Sequence, residues 1–275
     1  MPLETDDVVA ERALAWNVTL EDVSRSGGAT VAYGHRGEQA VVLKVAASAG
    51  NERRAGEMLR AFGGRGVARV LEHDAGAVLV ERLMPGTALA DAHIDDDEAT
   101  RIITDVIRRM SPDPAPSTAT TVESWGRSFE WHDAGATSAI PRALVEAARS
   151  TYAQMCASQQ NIRLLHGDVH HRNVLLDAER GWVAIDPKGV VGELAYEVGA
   201  ALRNPCERPE LFAAPLAIEL RVKHFSRALR LDSRRILAWA FAQAVLAAIW
   251  ELEDDGRLTA GAGWIALAKS IQAMT

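Results

Sequence analysis

The chain has 275 residues, 48% of them apolar and 24% charged; this is ordinary for a soluble globular protein, and the length suits two lobes better than one compact core. Its 30 basic and 37 acidic side chains leave a net charge of −7, which repels nucleic-acid phosphates at long range and attracts small cations. Nucleic acid is therefore excluded as an expected partner.

In chain order, the segment MPLETDDVVAERA has neither a basic region nor an apolar one, so no secretory leader is expected. Short strands follow at Val18 to Val23, Ala29 to Tyr33 and Ala40 to Val45, separated by turns at Ser26-Gly27-Gly28 and at Gly34 to Gly37. Asn51 to Phe62 has helical periodicity and stops at the glycine cluster from Gly63 to Gly66. Two more strands, Ala68 to Glu72 and Ala77 to Glu81, lead to a break at Met84-Pro85-Gly86.

Beyond that break the pattern is helical. Asp95 to Met110 is amphipathic with an acidic first turn, which suits the helix dipole. Ser111 to Thr121 reads as a loop, and Pro141 to Gln160 as a long helix. Short apolar runs alternate with polar clusters from Leu164 to Asp186, and helices return at Leu211 to Leu229, Ser233 to Glu253 and Trp264 to Met274. The apolar stretch Ile236 to Trp250, interrupted by Gln243, falls short of the roughly 20 residues of a membrane span and reads as a buried helix. Cys156 and Cys206 form no CxxC pair and read as reduced thiols of a cytoplasmic protein. The expectation is a monomeric α+β protein with no membrane partner. A β-rich lobe occupies residues 1–84 and a mainly helical lobe residues 85–275.

The chemistry-bearing stretch is Leu164-Leu-His-Gly-Asp-Val-His-His-Arg-Asn-Val-Leu-Leu-Asp177, followed by Trp182-Val-Ala-Ile-Asp-Pro-Lys-Gly189. Asp168 precedes Asn173 by five residues, and Asp186 ends a second apolar run. Phosphoryl transfer needs positioning and charge neutralisation more than covalent help. A loop Asp can accept a hydrogen bond from the attacking hydroxyl, while an Asn and a second Asp hold Mg²⁺ against phosphate oxygens. The rival reading of His166, Asp168, His170 and His171 as a metal centre is weaker, because the order differs from that of known histidine-rich hydrolases. His166 is expected to brace the loop.

Upstream, Lys44 at the end of a strand is placed to contact the α- and β-phosphates and to pair with a helix glutamate. Glu52 is preferred for that partner, with Glu57 as the other candidate. Ser26, Gly27 and Gly28 are candidates for covering the phosphates, and the backbone at Glu81 and Leu83 for holding adenine.

The segments His166-Gly-Asp-Val-His-His-Arg-Asn173, Trp182 to Gly192 and Arg203-Asn-Pro205 resemble the aminoglycoside/hydroxyurea antibiotic resistance kinase family. So do Gly64 to Leu71, Leu79 to Leu83, Phe225 to Leu229 and Asp232 to Ile236. The resemblance implies a two-lobed protein-kinase-like fold using ATP and Mg²⁺. It implies Asp168 as catalytic base, Asn173 and Asp186 as metal ligands and Lys44 as phosphate contact. Its best-known members phosphorylate streptomycin at the 6-hydroxyl. That cationic substrate calls for an acidic pocket, for which Glu193, Trp250, Glu251 and Asp254 are the candidates. Acidic residues at a helix C-terminus oppose the dipole, a local conflict of the kind that marks functional sites. The alternatives are a kinase of another small metabolite, and a nucleotide-binding pseudokinase acting as an interaction module.

Overall fold

The computed structural model describes residues 5–26, 29–46, 54–74, 76–110, 112, 114–131 and 139–274. It begins with helix α1 (Thr5–Ala15), which the sequence pattern did not announce because only Val9 and Ala13 supply its buried stripe. Strands β1 (Thr19–Ser26), β2 (Ala29–Arg36) and β3 (Gln39–Ala46) form an antiparallel meander. Helix α2 (Ala55–Phe62) follows, then β4 (Val70–Asp74) and β5 (Ala77–Glu81), which complete a five-stranded sheet in the order β1-β2-β3-β5-β4. Gly34, expected in a turn, lies inside β2. A Cβ there would sit 2.2 Å from the Thr19 carbonyl oxygen, so the missing side chain permits close approach of β1.

Alternation along β3 decides where its lysine points. Val41, Leu43 and Val45 are buried with Val9, Ala13 and Leu79 on one face of the sheet. Lys44 therefore projects from the opposite face. On that face α2 contributes Met58, Leu59 and Phe62, and β5 contributes Val78, to the core of the larger part. The predicted start of α2 at Asn51 lies outside the described residues; the helix ends at Gly63, whose φ of 57° makes a left-handed cap.

The chain then enters the larger part through β6 (Pro85–Ala88), α3 (Asp96–Arg109), β7 (Thr120–Thr121), α4 (Val122–Trp125), α5 (Ser128–Trp131) and α6 (Arg142–Ala157). Next come β8 (Arg163–Leu165), β9 (Val174–Asp177), β10 (Gly181–Ala184) and β11 (Val190–Gly192), followed by α7 (Leu194–Leu202), α8 (Pro215–Leu229), α9 (Ser233–Asp255) and α10 (Gly261–Met274). Two small sheets, β10-β9-β6 and β7-β11-β8, flank the loop that carries Asp168. Helix α9 is apolar and long enough to cross a bilayer, yet 67% of its most apolar window is buried inside the protein. Trp239 and residues 240–249 are its buried run, as expected for a core helix.

The two parts are tied by backbone as well as side chains. The Ala184 N–H donates to Gly66 O at 2.9 Å, and the Ala68 N–H to Ala184 O at 2.9 Å. Arg180, in the β9–β10 turn, donates to Gly64 O (2.6 Å), to Val67 O (3.0 Å) and to the Glu81 carboxylate. The antiparallel sheet followed by a mostly helical part is the α+β arrangement expected.

Candidate active site

The loop bearing Asp168 runs from the end of β8 to the start of β9 and is held from below by α7. The Glu197 carboxylate accepts the His166 N–H (2.7 Å) and the Gly167 N–H (2.9 Å). Gly167 adopts φ 83°, and a Cβ there would lie 2.9 Å from Val190 and 3.1 Å from Trp125 Cη2, so only glycine fits. His166 Nδ1 accepts the Asp168 N–H at 3.3 Å, and Nε2 lies 2.9 Å from Ile185 O, which requires Nε2 to donate. Burial pushes the His166 pKa down to about 4, consistent with that neutral tautomer. Both ring nitrogens are engaged, so His166 braces the loop. Among the described residues no three His, Cys, Asp or Glu side chains are grouped to hold a metal.

Asp168 lies among basic side chains. Arg203 Nη2 lies 3.4 Å from its Oδ1, and His170 Nε2 lies 3.6 Å from its Oδ2. Burial is the strongest single influence and pushes its pKa up. His170, Arg203 and Lys188 together outweigh it and hold the carboxyl well below the usual range. Asp168 is therefore ionised and acceptor-only at neutral pH. Asn173 Nδ2 donates to Asp168 O at 3.0 Å and lies 3.4 Å from its Oδ2, which turns the amide nitrogen toward Asp168 and the amide oxygen away from it.

Asp186 stands at the end of the same hairpin, since the Ile185 N–H donates to Asn173 O at 2.9 Å. Its φ of 58° is a left-handed conformation uncommon outside glycine, and Asp tolerates it better than most. Lys44 reaches Oδ1 from the other part of the molecule, and Lys188 Nζ lies 3.2 Å from Oδ2. The partly exposed Asp186 carboxylate, beside an amide oxygen turned outward, fits a hard divalent cation that would displace the two mobile ammonium groups and take its remaining ligands from phosphate and water.

The other predicted positions divide. Gly27, Gly28 and Glu52 lie outside the described residues, and Ser26 ends β1. Glu57 accepts a hydrogen bond from Thr118 Oγ1 at 2.6 Å. The Glu81 N–H donates to Arg69 O at 3.0 Å, so an adenine contact at this residue would use its carbonyl; Leu83 is buried next to it.

Two expected substrate residues are corrected by the structure. The Glu193 side chain is buried and accepts from Arg235 Nε (2.6 Å), the Gln160 N–H (3.1 Å) and Trp239 Nε1. The Glu251 carboxylate accepts the N–H groups of Thr259 (3.0 Å), Ala260 (2.8 Å) and Gly261 (2.7 Å), closing the turn into α10. Internal donors satisfy both carboxylates, and neither is offered to a ligand. Asp254 is exposed on the last turn of α9, and Trp250 meets Trp125 edge-on at 5.7 Å while donating to Ser128 Oγ at 2.9 Å.

Sequence reasoning missed Glu197 and Trp125 as neighbours of His166 and Gly167, and Arg203 as a partner of Asp168. The signals were the polar Glu197 within the otherwise apolar run of α7 and the place of Arg203 in a segment that carries the family resemblance. Burial pushes the Glu197 carboxyl from 4.5 up to about 7. An acid raised in this way binds its proton more tightly when folded, so its stabilisation is lost as pH rises from 4.5 through about 7. His166 and His171, both lowered by burial, act in the opposite sense over much of that range. Comparison with Glu197→Gln isolates the effect. Between pH 5 and 7 the variant's Tm should climb more steeply with pH than that of the parent; parallel curves would exclude a titrating Glu197.

Comparison with known proteins shows the family and the fold. The model of the aminoglycoside/hydroxyurea antibiotic resistance kinase family matches residues 17–256. A streptomycin 3″-kinase of Klebsiella pneumoniae is 33% identical over 226 residues, 80% of this chain and 82% of that protein. A streptomycin 6-kinase of Streptomyces griseus is 31% identical over 220 residues, 78% of this chain and 71% of that protein. Among solved structures, a thermostable mutant of aminoglycoside phosphotransferase APH(4)-Ia, in complex with ADP and hygromycin B, superposes with a TM-score of 0.63 at 15% identity. That match covers 96% of this chain and 98% of the other, and shows the protein-kinase-like fold.

Proposed function

The chain belongs to the aminoglycoside/hydroxyurea antibiotic resistance kinase family, and from that premise we propose that it transfers the γ-phosphoryl group of ATP to the 6-hydroxyl of streptomycin. We further propose that it works with Mg²⁺, as a cytoplasmic monomer with no nucleic-acid or membrane partner. The observation that carries this reading is the convergence of ionised Asp168, on its loop, with Asn173 and Asp186 at the ends of the adjoining hairpin, and with Lys44 reaching Asp186 from the other part of the molecule.

Asp168 accepts a hydrogen bond from the acceptor hydroxyl and aligns its oxygen for in-line attack. Because its carboxyl is held so acidic, it takes the proton only as the new O–P bond is completed. Asn173 and Asp186 would hold the metal ion, which supplies charge neutralisation at the phosphate oxygens. Lys44 contacts the phosphates next to Asp186. Glu197 and His166 keep the loop fixed, so that the hydroxyl is positioned before reaction rather than during it. Trp125, packed against Gly167, provides an apolar wall beside the base.

The choice of streptomycin rests on the relatives' names and on the acidic balance of the chain, and the choice of the 6-hydroxyl on the Streptomyces griseus relative. A second reading, transfer to the 3″-hydroxyl, is favoured by the Klebsiella relative. The test is ATP- and Mg²⁺-dependent ADP release with streptomycin against a panel of other aminoglycosides and small metabolites. Phosphorus NMR of the product then locates the phosphate. Streptomycin-dependent turnover with the phosphate on the 6-hydroxyl is expected. Turnover only with another acceptor would discard streptomycin and keep the kinase chemistry.

A further inference from the structure

We propose that Lys188 is a further catalytic residue, an ammonium that leaves Asp186 when metal and nucleotide bind and then neutralises the phosphoryl group in transfer; this rests on the kinase reading above. Asp186 carries one ammonium per carboxylate oxygen, Lys44 at Oδ1 and Lys188 at Oδ2 (3.2 Å). A divalent cation coordinated there competes with both. Lys44 comes from β3, in the other part of the molecule. Lys188 comes from the loop between β10 and β11, two residues past Asp186.

The Lys188 backbone cannot follow its head group. Its N–H donates to His166 O at 2.8 Å, and the Gly189 N–H donates to the same oxygen at 3.1 Å. Gly189, with φ 68°, is packed so closely that a Cβ would meet Met58 Cγ at 2.2 Å. The Lys188 side chain, by contrast, is 32% exposed, so the ammonium can be relocated on its four-carbon stem. The stem starts from a point tied to the catalytic loop. The His166 carbonyl that holds the Lys188 N–H lies two residues before Asp168, and the head group reaches Asp186, so the side chain is anchored beside the base and ends at the metal site. The phosphoryl group must pass between the residue that aligns the hydroxyl and the residue that holds the metal. Lys188 is the cation anchored between them, through the His166 carbonyl on one side and Asp186 on the other.

In the transfer, the acceptor oxygen forms a bond to the γ-phosphorus and the bond to the β,γ-bridging oxygen breaks. ADP leaves with that electron pair, and the hydroxyl proton passes to Asp168 and then to solvent. Lys188 gains and loses no proton. It stabilises negative charge spread over the three equatorial oxygens, the task an arginine finger performs in other phosphotransferases.

The experiment compares the parent protein with Lys188→Met and Lys188→Arg. It measures kcat and KM for ATP, and calorimetric affinity for Mg²⁺-ADP with and without aluminium fluoride, which mimics the phosphoryl group in transfer. Lys188→Met is expected to lower kcat about 10²–10³-fold and to weaken the fluoroaluminate complex by a similar factor. ADP affinity and KM for ATP should stay within about threefold. Lys188→Arg, which keeps the charge, should recover part of both losses. Unchanged kcat and fluoroaluminate affinity in Lys188→Met would overturn the proposal, as would equal losses for ADP alone and for the fluoroaluminate complex. If the parent itself neither binds Mg²⁺-ADP nor turns over, the kinase reading fails and takes this proposal with it. Normal parent turnover beside an undiminished Lys188→Met removes this proposal alone.

Discussion

Asp168→Asn is expected to lower kcat by about 10³-fold, within the range for a residue that aligns and deprotonates an attacking hydroxyl. The substitution keeps size but replaces one acceptor oxygen with a donor group. Arg203 at 3.4 Å, His170 at 3.6 Å and Asn173 at 3.4 Å surround the carboxylate, so the new amide must turn its N–H toward a donor or toward the incoming hydroxyl. Lys44, Asn173 and Asp186 remain in place for nucleotide and metal, so KM for ATP should stay within about threefold. Initial rates at saturating acceptor over a range of ATP concentrations check this. Turnover close to that of the parent would remove Asp168 from the mechanism. A large rise in KM for ATP would instead make it a nucleotide-binding residue.

Glu193→Ala is expected to cost stability rather than acceptor affinity. The carboxylate is buried and joins the start of α7 to α9 and to the loop after α6 through Trp239, Arg235 and Gln160. Its removal leaves the Trp239 and Gln160 N–H donors without an acceptor, at about 1–3 kcal/mol each, while Arg235 keeps the Ser158 and Met155 carbonyls. In a chain of this size that lowers Tm by on the order of 10 °C. Thermal unfolding measures the loss, and acceptor KM at a temperature where both proteins are folded measures specificity. An unchanged Tm with a raised acceptor KM would return Glu193 to the substrate pocket.

These two glutamate positions, Glu193 and Glu251, mark where sequence reasoning stopped. Both follow from a sound electrostatic expectation, that a cationic acceptor needs carboxylates and that acidic residues at a helix end are there for a reason. The physical reason proved internal. Glu251 accepts three N–H groups at the start of α10, which lies eight to ten residues further along the chain. Glu193 answers a tryptophan and an arginine on α9, more than forty residues away. Carboxylates look alike in a sequence whether their partners are ligands or distant backbone donors. Glu197 is the converse case. It sits inside an apolar helix and supports the catalytic loop, yet nothing local distinguishes it from a packing defect until β8 is laid beside α7.

The sequence by itself determined the antiparallel sheet followed by helices, and the hairpin that presents Asn173 and Asp186 just after the Asp168 loop. Those features depend on periodicity, turn residues and short spacings, which are local properties of the chain. Tertiary structure alone decided which face of β3 carries Lys44 to Asp186, which helix holds the His166 and Gly167 amides, and which acidic side chains are already satisfied. Each of these depends on contacts between residues far apart in sequence. Burial and long-range pairing set the charge state of Asp168 and the availability of every carboxylate around it, and neither is a property of the linear chain.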